Sequence, residues 1–215
     1  MGGAAMQLPQ LATERLLLLH AEPGQAQAHA DFMRRNRAHF APWDPPRPPD
    51  FESPEGWAGR LQDAVVAYAQ DREVRFVMFE RKTEAMIGRI NFTSISRGPF
   101  QSCLLGYQID AAFEGRGLMR EALRAAVGYM FEARRLHRIE ANYRPENARS
   151  AALLARLGFE RIGLAPEYLF IDGAWRDHVQ THRLNDRFDP AWLHAAAADG
   201  PDAGAAAGSD SVTGA

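Results

Sequence analysis

Residues 102–143 constrain this chain more tightly than any other stretch. "SCLLGYQID" (102–110) is rich in strand formers, and "HRIEANY" (137–143) reads as a second strand. Between them Met119, Ala122, Leu123, Ala126, Val127 and Met130 recur at helical spacing, giving a helix over 117–134 one apolar face. A strand, a crossover helix and a second strand form a right-handed unit whose two strands lie parallel. The chain must therefore build a sheet containing a parallel pair, at 102–110 and 137–143, with a helix packed on it.

The rest of the sequence supplies antiparallel neighbours. "ERLLLLHA" (14–21) reads as a strand, 24–37 as a helix, and "HFAPWDPPRPPDF" as a proline-broken loop. Ser53 and Pro54 open a further helix as N-cap and first-turn residue, with Trp57, Leu61, Ala64, Val65 and Tyr68 on one face. Three strand-like runs, 74–80, 84–95 and 102–110, joined by short turns, predict a meander. After the crossover unit, 147–158 reads as a helix between Asn147 and Gly158, and Asp172-Gly173 joins two strands as a hairpin. The expected architecture is α/β (α+β): one mixed sheet of about seven strands, antiparallel in its first half, with the parallel pair at its centre and about four helices around it. Residues 1–10 read as an N-terminal arm, 11–192 as one catalytic-size domain, and the Ala/Gly/Asp-rich 193–215 as a disordered tail.

Composition narrows function by exclusion. A net charge of −2 offers no polyanion-binding surface, so no direct nucleic-acid partner is expected. No apolar run is long enough for a membrane span, and "MGGAAMQLPQ" lacks the regions of a secretory leader, so a cytoplasmic protein without a membrane partner is expected. Cys103, the single cysteine, sits in an apolar run and reads as a core residue. His178 and His182 fall in a strand, too far apart to share a metal, and no metal site is expected.

"DAAFEGRGLMREAL" (110–123) poses a chemical question. A helix start carries partial positive charge and unpaired N–H groups, and so disfavours cations. Yet Arg116 and Arg120 stand there, beside Gly115 and Gly117. A bound phosphate reverses the sign: it accepts from the amides, it pairs with the arginines, and it needs the close approach that glycine permits. The absence of GxxxxGK[ST] argues against a nucleotidase phosphate loop. A dinucleotide fold shares Gly115-x-Gly117 and an acid, Glu140, further on, but Arg120 stands in place of the third glycine and a meander precedes the unit.

The order of these motifs resembles the GNAT superfamily of N-acetyltransferases, whose acetyl-CoA pyrophosphate loop matches "EGRGLM" and whose following helix matches "NARSAALLARLGF". "HFAPW", Gly56-Trp57, "IGRINFTSISRGPF", "HRIEANYRPENARS" and "YLFIDGAWRDH" extend the similarity over 11–185, to the Rim-type (RimJ-like) ribosomal-protein-alanine N-acetyltransferases. Departures are Glu114 at the first loop position, Met119 at the sixth, and Leu154 where many members carry a tyrosine acid. The resemblance implies acetyl-CoA as co-substrate and an amine acceptor attacking directly in a ternary complex. The acceptor is a protein N-terminal α-amine, of the ribosomal-protein alanine type, or a small amine such as an antibiotic or aminoacyl toxin. A non-catalytic CoA sensor is the remaining alternative.

The resemblance also distributes roles. Gly115, Arg116, Gly117, Leu118, Met119 and Arg120 would hold the pyrophosphate; Gln108, Ile109 and Asp110 would meet the pantetheine arm through the main chain; Asn147 and Ser150 would contact the cofactor. Ser150 is the candidate acid for the departing thiolate, Glu167 the candidate base, and Tyr107 a candidate proton relay. Trp43 and Trp175 would line the acceptor cleft.

Overall fold

A computed structural model describes residues 7–193. Its strands are β1 (Gln10–Ala12), β2 (Leu16–His20), β3 (Val74–Glu80), β4 (Met86–Ser96), β5 (Ser102–Ile109), β6 (Arg138–Tyr143), β7 (Glu160–Ile171) and β8 (Ala174–Leu184). The helices are α1 (Ala26–Arg35), α2 (Arg37–Phe40), α3 (Pro54–Ala69), α4 (Leu118–Glu132) and α5 (Ala148–Arg156). One sheet holds all eight strands in the order β1-β2-β3-β4-β5-β6-β8-β7, and β5–β6 is its parallel pair. The eighth strand is β1, three residues paired with β2 from Gln10 onward, too short to show an alternation in sequence. It carries the domain's first strand one residue into the expected arm. The expected tail, apart from residue 193, lies outside the described residues.

Local chemistry explains the boundaries. Ser53 Oγ accepts from Gly56 N–H at 3.1 Å and Pro54 opens α3, as the sequence predicts. Asn147 Oδ1 accepts from Ser150 N–H at 3.0 Å and starts α5. Asp172 and Gly173 both take positive φ, 50° and 74°, the conformation of a tight hairpin turn that matches strand twist. The proline loop is less open than the sequence suggests: α2 runs into its first two residues and a 3₁₀ turn, Pro49–Glu52, closes its end.

Two cores sandwich the sheet. On one face Ala122, Leu123, Ala126, Val127 and Met130 of α4 pack on Phe76, Ile90, Phe92 and Cys103. On the other, Phe32 and Met33 of α1 and Trp57 and Leu61 of α3 cover Val77 and Met86. Leu123 has no exposed surface, so truncating it to alanine would cost ~2–5 kcal/mol. Burial pushes the Cys103 thiol up to about 12, which leaves it a core residue and no nucleophile.

Candidate active site

The parallel pair that the sequence demands is only half made. Ser102, Cys103 and Leu104 pair with Arg138, Ile139 and Glu140, and there the β5–β6 ladder stops. Beyond it β5 stays paired to β4 as far as Ile109, and β6 stays paired to β8 as far as Tyr143. The two strands diverge into a notch with unpaired main chain on each side. Register decides which groups face it. Asp110 N–H donates to Ile87 carbonyl at 2.8 Å, so Asp110, Gln108 and Gly106 direct their main-chain groups to β4. Tyr107 and Ile109 direct theirs into the notch. Ile109 thus turns its main chain away from β4 and toward β6. The main chain of Gln108 and Asp110 points away, because alternation along the strand sends every second residue's polar groups to the other neighbour. The Asp110 side chain is also engaged: it accepts from Arg35 Nε at 2.5 Å, Asn36 Nδ2 at 3.1 Å and Ala112 N–H at 2.9 Å. Burial opposes its charge, but these bonds outweigh burial and hold the carboxyl below the usual range.

At the end of β5 the chain makes a 3₁₀ turn at Ala111–Phe113 and then the glycine turn. Gly115 and Gly117 have φ of 72° and 74°, a left-handed conformation that other residues adopt only under strain. Glu121 N–H is the first in this stretch to find an acceptor, the Gly117 carbonyl at 3.1 Å. Among the described residues no acceptor meets the main-chain N–H groups of residues 115–120. The Leu118 and Met119 side chains are buried in the core, so those residues offer the turn only their main chain. Arg116 and Arg120 are exposed, and the Arg116 guanidinium lies 5.0 Å from the Phe113 ring centre. Glu114 is tied to Arg149 and, at 3.2 Å, to His39, which braces the turn against α5. The turn is fixed from behind as well: Glu121 accepts from Thr13 Oγ1 at 2.6 Å and from Arg15 Nε at 2.7 Å, and Arg15 also donates to the Arg116 carbonyl at 3.0 Å. This is a built anion cradle of main-chain donors, suited to a diphosphate.

Across the notch, Tyr107 and Ser150 share a hydrogen bond of 2.6 Å between their hydroxyls. Burial pushes the Tyr107 phenol up to about 12, so it keeps its proton. Leu154 is buried, and at the position where a tyrosine acid is usual there is no hydroxyl. Asn147 spends its carbonyl oxygen on the α5 cap, leaving its Nδ2 free among the described residues.

The remaining candidates are scattered. Glu167 sits on an exposed bulge of β7 with φ 46°, its N–H donating to Asp177 at 2.9 Å. That bulge breaks the alternation that would have set Glu167 and Leu169 on one face. Trp43 lies under the Arg144 guanidinium at 5.5 Å, beside the end of β6. Trp175, 59 % exposed, packs edge-on against Phe170 at the hairpin. The proline loop and the hairpin turn do meet, around a groove of about 430 Å³, but through Asp44, Pro45 and Gly173 rather than through the two tryptophans.

Sequence reasoning missed a chain of polar contacts on the α1–α3 face. Asp44 accepts from Gln108 Nε2 at 2.7 and 2.6 Å and pairs with Arg47; Gln108 Oε1 in turn accepts from Arg89 Nε at 2.5 Å. Its members are 64 and 19 residues apart, and no local spacing reveals such a contact.

Residues 15–160 match the acetyltransferase (GNAT) domain family, and the match spans the notch, the glycine turn and α5. The chain belongs to the GNAT acetyltransferases. Among relatives of this GNAT chain, the [ribosomal protein uS5]-alanine N-acetyltransferase of Escherichia coli K12 is 44% identical over 172 residues, 80% of this chain and 89% of the relative. The crystal structure of ribosomal-protein-S5-alanine acetyltransferase from Vibrio fischeri superposes with a TM-score of 0.82 at 37% identity, covering 85% of this chain and all of that one. Mycobacterium smegmatis RimJ, in complex with CoA-disulfide, gives 0.77 at 27% identity, covering 89% of this chain and 93% of that one. The GNAT chain is thus an acetyl-CoA-dependent acyltransferase, and its unpartnered amides at 115–120 are donors of the kind a diphosphate accepts from. No helix among the described residues is long and apolar enough to cross a membrane.

Proposed function

We propose that this enzyme acetylates the N-terminal α-amine of a protein, of the ribosomal-protein alanine type. The observation that carries the reading is its 44% identity, over 80% of the chain, with the uS5-alanine N-acetyltransferase of E. coli. Site chemistry agrees. An α-amine has pKa ~7.7–8.0 against ~10.4 for lysine, so near neutral pH part of it is already the free base. Among the described residues no carboxylate hydrogen-bonds to the Tyr107–Ser150 pair, and a strong base is not required for such an acceptor. Proximity supplies much of the acceleration.

In this reading the amides of residues 115–120, with Arg116 and Arg120, hold the diphosphate, and Asn147 Nδ2 adds a donor from the start of α5. The main chain of Tyr107 and Ile109 lines the pantetheine arm. As the amine nitrogen bonds to the acetyl carbon and the carbon–sulfur bond breaks, Ser150 gives its proton to sulfur, while the Tyr107 phenol donates to the serine oxygen. The amine's surplus proton leaves to solvent, and the Tyr107–Ser150 pair takes one proton back from solvent, so the amide and the free CoA thiol are the net products. Glu167, exposed on its bulge, is assigned no step. Trp43, beside the end of β6, is a wall of the acceptor cleft, and Trp175 an outer contact on the hairpin.

The test is a panel of peptides and small amines with acetyl-CoA, read by thiol release and by mass spectrometry of the acetylated site. Acetylation of alanine-initiated peptides at the α-nitrogen is expected. Modification of small amines alone would overturn the acceptor assignment, and no thiol release with any amine would leave a CoA-binding protein without catalysis.

A further inference from the structure

A cavity of about 320 Å³ opens on the α1–α3 face, between α3 and strands β3 and β4. Its floor carries Arg75, Arg89 and Asn91, and its walls Phe51, Trp57 and Arg60. Two of these cations are already balanced: Arg60 pairs with Asp50 at 2.9 Å, and Arg75 with Glu73 at 2.6 Å. Arg89 is not. It forms no ion pair among the described residues, and its one hydrogen bond there runs from Nε to the neutral Gln108. Its guanidinium carbon lies 5.8 Å from the Phe51 ring centre and 5.5 Å from that of Trp57, so aromatic faces replace much of its water. Burial, with Arg47 and Arg75 nearby, pushes Arg89 down to about 9, still cationic near neutral pH. His29, stacked on Trp57 in the same cavity, is pushed down by burial to about 3 and is neutral there. Asp63, on the exposed side of α3, is the one acid on the lining. An arginine held in this way presents terminal N–H donors with the charge and fork geometry for a carboxylate.

The cavity is within reach of the reaction. Arg89 is paired in register with Gln108, which lies between Tyr107 and Ile109, the two residues whose main chain faces the notch. Adjacent strands are ~4.8 Å apart and an extended peptide advances ~3.3 Å per residue. An acceptor whose terminal nitrogen enters the notch therefore carries roughly its second to fourth residue over β4. Resting on the N-terminal acceptor reading above, we infer that this cavity is an acceptor subsite that takes a side-chain carboxylate from one of those residues on Arg89. The enzyme's substrates are then N-termini with an early Asp or Glu.

Paired peptides test this: alanine-initiated sequences that differ only by Glu or Gln at position two, three or four. The wild-type enzyme is expected to favour Glu at one of these positions by about tenfold in kcat/KM. Arg89→Gln should bring that ratio to one, and Arg89→Lys should keep part of it. A purely structural role for Arg89 would depress both peptides equally and leave the ratio unchanged, which would overturn the inference. Calorimetry with the acetylated product peptides repeats the comparison without turnover, and equal affinity of the Glu and Gln products for the wild type would also overturn it. Failure of the N-terminal reading looks different: no peptide is acetylated at its α-nitrogen, and this inference then falls with it.

Discussion

The two faces of β5 offer a ligand different kinds of group. Tyr107 turns toward α5 and the cofactor notch, Gln108 toward α1 and α3, and the two are adjacent in the chain. On the proposed cofactor side the groups available are main chain: unpartnered amides at 115–120, two left-handed glycines, and strand edges left open by a ladder that stops at Leu104. On the proposed acceptor side the groups available are long side chains, Asp44, Gln108 and Arg89, joined across the fold. A cofactor common to a whole family can be held by amides, which every residue has. An acceptor that differs between enzymes calls for side chains, which substitution can change.

This contrast breaks most sharply at Ser150. Replacing it with alanine should lower kcat by ~10²–10⁴-fold if it is the acid, with the KM values little changed. Unchanged turnover in a stopped-flow thiol assay would remove it from the mechanism. Next comes the pH dependence of stability, set by one buried histidine on each face: His29 against Trp57 on the α1–α3 side and His20 against Tyr68 on the α4 side. Burial depresses His29 to about 3 and His20 to about 4, so each is neutral when folded and protonates more readily when unfolded. Their contribution is complete above pH ~6.5 and falls as pH drops below it, by about 2 kcal/mol each by pH 5. Denaturant midpoints at pH 7 and pH 5 should show the loss, and His29→Asn should reduce it; a pH-independent midpoint contradicts the burial argument.

Smaller effects separate the glycine turn from its support. Gly115 has open space where a side chain would go, so Gly115→Val adds backbone strain of ~1–3 kcal/mol without a clash. The turn should relax and raise the acetyl-CoA KM by roughly ten- to a hundredfold, leaving acceptor preference intact. A change confined to the acceptor KM would mean that the two sides are not separate. Glu121→Gln loses the Arg15 pair behind the turn and should cost about 1 kcal/mol of stability by thermal melting.

The same contrast explains what the sequence made legible. The cofactor side is local: the glycines, the Asn147 cap and the apolar stripe of α4 lie within short windows, and periodicity finds them. Ser150 and Tyr107 were both nominated, but their contact spans 43 residues and needed the fold. The Asp44–Gln108–Arg89 chain left no trace in spacing, since three polar residues in a loop and two strands look like ordinary surface. Gln108 and Asp110 were assigned to the notch through their main chain because a strand's residues are equivalent until register with β4 is known. The placement of Glu167 is hidden for a similar reason: a bulge between Ala165 and Leu169 shifts the face on which every residue after it lies.

The most direct test of the two-sided site is an amide spectrum of the ¹⁵N-labelled enzyme titrated first with CoA and then with an acceptor peptide. The account predicts that the backbone signals of residues 115–120 shift on adding CoA alone, while the Arg89 Nε–H signal moves only when the peptide follows. Saturating CoA that leaves the signals of residues 115–120 in place would contradict it.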